Sequence, residues 1–127
     1  MDFPQDVKYT ETHEWINAEG RVGVSEYAQK EISDVVYVEL PEEGREVGAG
    51  DVVCVVESVK AAFDIYAPVA GTVVEVNSSL EGDPALVNTS CYGDGWLVKI
   101  ETTDATAQNA LLDGAAYTSH VNTKKNG

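Results

Sequence analysis

Three short apolar runs follow one another in the middle of the chain: DVVCVVES at 51–58, AFDIYAPV at 62–69 and GTVVEVN at 71–77. Runs of this length, rich in valine and broken by glycine, proline and small polar residues, are strands; they are too short for core helices. The first and third are almost continuously apolar, which predicts cover on both faces. The same rhythm recurs upstream, where VKYT, HEWINAE and RVGVS read as strands and EGR as the turn between the last two. Ser25 is placed to cap a short helix over EYAQKEIS, with Ala28 and Ile32 on one face. DVVYVEL then reads as a half-buried strand with Val36, Val38 and Leu40 on the inner side. SSLEGDP reads as a loop and GDGWLVKIE as a closing strand. Beyond Thr103 alanine becomes common; Ala107, Ala110 and Leu111 keep helical spacing, and Gly114 suits a C-cap. Tyr117 and Val121 then share a face in a further turn or two of helix. The expectation is one mainly β domain over 1–127, with a core at 7–121, a short early helix, a helical C-terminus and a frayed tail at 122–127.

Charge narrows the partners. The chain carries 8 Lys+Arg against 22 Asp+Glu, a formal −14. Phosphate backbones and anionic lipid repel such a chain, so nucleic acid and membrane surfaces are not expected partners, and a monomer is. There is no apolar run long enough to span a bilayer. MDFPQDVKYT has neither a basic start with an apolar stretch behind it nor an Arg-rich transit pattern, so the chain is expected to stay where it is made. Cys54 reads as a small buried hydrophobe and Cys91 as an exposed thiol in a polar loop; no metal-binding spacing is present. The triplets beginning at Asn77 and Asn88 match the glycosylation sequon and are taken as chance.

The familiar catalytic patterns are missing: no GxSxG, no Walker loop and no GxGxxG. His13 and His120 have no paired nucleophile and read as ordinary histidines. Glu42 with Glu43, and Glu81 with Asp83, read as solvated loop carboxylates. Lys60 is different. It sits where two strands meet, ten residues after Gly50 and eleven before Gly71, which places it near a hairpin tip. Two readings stay open there: an ordinary exposed lysine at a turn, or a lysine presented for covalent attachment. Glu57 and Asp64 nearby favour its ammonium form, so a modification target fits better than a self-activated nucleophile.

VVESVKA, YAPVAGTVVEVN, DPALVN and YGDGWLVKI, together with YTETHEWI, GVSEYAQKEISDVVYVELPEEG and ALLDGAAY, occur in the order seen in the H-protein family of the glycine cleavage system. The chain resembles that family from about Val7 to about Val121. Biotin carriers flank their lysine with methionines, and lipoyl domains of 2-oxoacid dehydrogenases typically read ETDKA; Val59 and Ala61 stand here instead. The resemblance implies a lipoyl/biotinyl-type hybrid barrel-sandwich and a carrier, not an enzyme. It implies a lipoyl group in amide linkage on Lys60, with Glu57, Ser58, Val59 and Ala61 as the surface read by a lipoylating enzyme. It implies three further partners: a glycine decarboxylase (P protein) that loads an aminomethyl group, an aminomethyltransferase (T protein) that removes it, and dihydrolipoamide dehydrogenase (L protein). Thr12, Glu14 and Asp64 would belong to a cleft that shelters the loaded arm. A bacterial cytoplasmic protein, or a mature form in the mitochondrial matrix, would fit; a lipoyl relay to other acceptors is the alternative. The family usually has proline where Cys91 stands, a change expected to loosen that loop slightly.

Overall fold

The computed structural model describes residues 3–102, 104 and 106–126, with side chains to 123. Among these, the chain order is β1 (Lys8–Tyr9), β2 (Glu14–Ile16), β3 (Arg21–Val24), α1 (Glu26–Ile32), β4 (Val35–Glu39), β5 (Glu46–Val47), β6 (Val52–Ser58), β7 (Ala62–Tyr66) and β8 (Gly71–Val76). Two single-turn helices, α2 (Ser79–Gly82) and α3 (Leu86–Thr89), precede β9 (Val98–Glu101), a 3-10 turn (Ala107–Ala110) and α4 (Gly114–Asn126). The strands form two sheets, one in the order β1-β2-β3-β9-β8-β5 and the other β4-β6-β7. All the pairings are antiparallel. The mainly β expectation holds.

The valines explain why the sheets close on each other. Val22, Val24, Val38, Val53, Val56, Val73 and Val98 meet in one core with Ile16, Ile65, Leu97 and Ile100. Each such side chain, fully buried, contributes about 1.5–3 kcal/mol. Gly20 makes the β2–β3 turn possible: its φ is +90°, and a Cβ there would collide with the Ile100 carbonyl oxygen. A second cluster of Phe3, Val7, Tyr9, Trp15, Tyr117 and Val121 holds α4 against the first two strands. Tyr9 and Tyr117 stack in it at 4.3 Å, and the Trp15 indole donates to the Cys91 carbonyl at 3.0 Å. Tyr117 and Val121 do share the buried face.

Ser25 caps α1 as expected, its hydroxyl accepting from the Ala28 amide at 3.1 Å. Several local expectations do not survive. A bulge between Val35 and Tyr37 shifts β4, so Val35 and Val38 point inward while Val36 is 55% exposed. β8 is covered on one face only, Val73 being buried and Val74 exposed. The expected loop at SSLEGDP contains α2, pinned by buried Leu80. The alanine-rich stretch forms only a 3-10 turn, and Gly114 starts α4 rather than ending a helix. The Asp113 carboxylate caps α4 by accepting from the Ala116 amide at 2.8 Å. α4 runs to Asn126, and Gly127 of the expected tail lies outside the described residues. Cys91 is buried, not exposed; its thiol lies 3.7 Å from a Glu26 carboxylate oxygen, and burial first, then that charge, pushes it up to about 12. Cys54 is buried as expected.

Both sequon asparagines serve the fold. The Asn77 amide donates to the Asp94 and Trp96 carbonyls, each at 2.7 Å. Asn88 donates to Gln29 and to the Ser33 carbonyl, and accepts from the Val35 amide.

Candidate functional site

β6 and β7 pair from Val52↔Tyr66 to Glu57↔Ala62, and the turn at 58–61 joins them. The Ser58 amide donates to the Ala61 carbonyl at 2.9 Å. The Ser58 hydroxyl accepts from the Lys60 amide at 3.0 Å and from the Ala61 amide at 3.2 Å. A further bond, from the Val59 amide to the Asp34 carbonyl at 3.0 Å, clips the tip to the residue before β4. The turn backbone is thus braced at every step while the Lys60 side chain is exposed. Its ammonium donates to the Glu31 carbonyl on α1 at 3.3 Å.

Glu31 also borders a cleft of about 280 Å³. Thr12 and His13 of the β1–β2 turn, with Glu14 at the start of β2, form one wall, Tyr27 and Ala28 of α1 another, and Phe63, Asp64 and Ile65 of β7 the third. The cleft therefore opens beside the hairpin that carries Lys60. Thr12, Glu14 and Asp64, separated in sequence, line it together.

Glu14 is the unusual group. It is 2% exposed. One carboxylate oxygen accepts from the Thr10 and Thr12 hydroxyls at 2.6 and 2.5 Å, and the other from the Tyr66 amide at 3.3 Å. Among the described residues the one ion pair is Lys30 with Glu26, and Glu14 forms none. Burial raises its pKa above the ordinary 4.5, outweighing the hydrogen bonds that lower it. Between 4.5 and its folded value the native state binds more protons than the unfolded chain. Its contribution to stability is therefore full below about 4.5 and lost as pH rises through the folded value. In urea titrations, Glu14→Gln is expected to gain stability relative to the parent between pH 4.5 and neutrality. A difference that ran the other way with pH would contradict this.

A profile of the glycine cleavage H-protein family matches residues 7–124. The chain belongs to that family. It is 55% identical to the glycine cleavage system H protein of Deinococcus radiodurans over 119 residues, covering 94% of this chain and 97% of the relative. A glycine cleavage system H protein of Thermus thermophilus is 54% identical, with 92% of this chain and 94% of the relative covered. The crystal structure of a glycine cleavage system H protein from Mycobacterium marinum superposes with a TM-score of 0.85 at 38% identity, covering 94% of this chain and 98% of that one. Family membership makes this chain a carrier component of the glycine cleavage system, and the barrel-sandwich expectation holds with it.

One side chain lining the cleft, His13, and one buried behind it, Tyr117, were not read from the sequence as part of the site. His13 adopts φ +79°, and its Nδ1 lies 2.7 Å from the Tyr117 hydroxyl. That hydroxyl is also 2.6 Å from Ser25 Oγ, the cap of α1. α4 thereby fixes both the turn that holds Glu14 and the helix opposite it. A histidine in a polar stretch and a tyrosine on an apolar helix face, 104 residues apart, carry no sequence signal that joins them. The remaining candidates divide. Val59 and Ala61 are exposed, Glu57 is half-buried, and the Ser58 hydroxyl is spent on the turn.

Proposed function

We propose that Lys60 carries a lipoyl group in amide linkage, and that this chain presents it in turn to glycine decarboxylase, the aminomethyltransferase and dihydrolipoamide dehydrogenase. One observation supports this above the others: a solvent-exposed lysine on a braced hairpin tip stands beside a cleft whose only deeply buried acid among the described residues, Glu14, has no basic partner there. The residues fit the group, since the lysine is free to be acylated and the cleft mouth lies next to it. When bound, lipoate supplies a dithiol that can carry an aminomethyl group and be reoxidised.

The protein's own residues do the rest. Lys60 anchors the arm, and the hairpin backbone fixes where it starts, so each partner meets it at an effective concentration set by the tether. Glu14 holds a carboxylate where an ammonium entering the cleft would find it, and a cation there would draw the proton from Glu14. Thr10 and Thr12 orient that carboxylate, and Asp64 adds negative charge at the rim. The acidic surface attracts partners with basic rims, an attraction that salt weakens.

The test is intact mass after incubation with lipoic acid and a lipoylating enzyme, followed by peptide mapping. A gain of one lipoyl group on the peptide containing Lys60 is expected. No gain, with the enzyme active on another acceptor, would overturn the reading.

A further inference from the structure

Val36 and Tyr37 protrude together from β4, 55% and 54% exposed. The bulge between Val35 and Tyr37 is the cause: Tyr37 pairs with Glu57, and Val36 is the extra residue, so neither turns into the core. Val59, 68% exposed, lies just beyond them, tied through its amide to the Asp34 carbonyl at the entry to β4. Among the described residues four large hydrophobics are prominently exposed, and these are three of them; the fourth, Val74, belongs to the other sheet. Single exposed apolar groups are ordinary, but here the β4–β6 register and the Val59–Asp34 bond bring two of them beside a third at the hairpin tip, as a contact surface would. Asp34 and Glu39 flank Val36 and Tyr37 closely in the chain and Glu57 pairs with Tyr37 across the sheet, so the neighbouring charge is negative.

Building on the reading of Lys60 as the attachment site, we propose that Val36, Tyr37 and Val59, rimmed by Asp34, Glu39 and Glu57, form the surface gripped by the lipoylating enzyme. Tyr37 would seat in an apolar pocket edged with Arg or Lys. Reach selects this occupant. The unmodified lysine extends only by its own four-carbon stem, so an enzyme that acylates it must close over the tip and cover Val59 and its neighbours. A partner that meets the finished arm has the length of the acyl chain as well and need not. Charge agrees: the acidic rim complements a basic-edged face. A second copy of this chain, itself at −14, is repelled, and the bulge spoils edge-to-edge pairing along β4.

The test uses the unmodified protein, purified lipoate–protein ligase, lipoic acid and ATP, with attachment followed by intact mass. For Val36→Ser combined with Tyr37→Ser, KM for the protein substrate is expected to rise at least about tenfold, with kcat within about twofold. Val74→Ser should match the parent. As a second readout, Lys60→Arg should inhibit the ligase competitively, and lose that inhibition when Tyr37→Ser is added. An unchanged KM, with Lys60 still modified, would overturn the docking surface alone. A parent left unmodified by a ligase active on another acceptor would overturn the attachment reading beneath it. Normal lipoylation with weakened binding to the decarboxylase, or a parent dimer that dissociates in the double variant, would assign the surface elsewhere and overturn the proposal too.

Discussion

A Lys60→Arg protein should release no carbon dioxide from glycine above background when mixed with the decarboxylase, the aminomethyltransferase and dihydrolipoamide dehydrogenase. Its thermal unfolding should match the parent. Arginine keeps the charge and most of the length, but a guanidinium cannot be deprotonated in a protein, so no amide forms at that position. The fold has little to lose. Lys60 is exposed, and its side chain makes a 3.3 Å contact to the Glu31 carbonyl at the surface, where substitutions cost within about 0.5 kcal/mol. Turnover in the variant, with a lipoyl group found on another lysine, would move the attachment site and refute the assignment.

The second large effect is expected at Glu14. Glu14→Gln should fold and accept lipoate at Lys60 at the parent rate, yet shorten the lifetime of the carried aminomethyl group against hydrolysis by roughly ten- to hundredfold. Hydrogen bonds to charged groups contribute about 1.5–3 kcal/mol, which converts to that range. The glutamine can still accept from Thr10 and Thr12 but offers no charge to an ammonium. Asp64→Asn should matter much less. Asp64 lies exposed at the rim, where solvent screens a charge pair to about 1 kcal/mol or below. Following labelled glycine carbon on the isolated loaded protein would separate the cases. Equal lifetimes in parent and Glu14→Gln would remove the acid from any part in sheltering the arm.

The legible features were those governed by near neighbours in the chain. Ser25 was visible as a helix cap because a cap bonds three residues ahead, as the Ala28 amide shows. The β6–β7 hairpin was visible because its two apolar runs lie next to each other, and Lys60 fell at the tip as the spacing required. Where a distant partner intervened, local pattern misled. Val36 alternates correctly with Val38 and Leu40, but the register against β6 inserts a bulge and turns it out. Cys91 follows a polar stretch, yet Trp15 bonds its carbonyl from far away and the loop packs inward. Gly114 looked like a helix end because glycine favours that place; the capping carboxylate of Asp113 makes it a beginning.

The cleft shows the same division. The residues resembling the H-protein family supplied Thr12, Glu14 and Asp64 as candidates, and no spacing rule would have gathered them. Sequence by itself determined a glycine-punctuated, acidic, mainly β chain with one lysine presented between two strands, because alternation, turn chemistry and charge are written within a few residues. Only the tertiary structure decided that Glu14 is a buried acid that forms no ion pair among the described residues, that α4 reaches back through Tyr117 to hold His13 and Ser25, and that Val36 and Tyr37 face outward beside the lysine. Those depend on desolvation and register, which arise when segments far apart in the chain pack together.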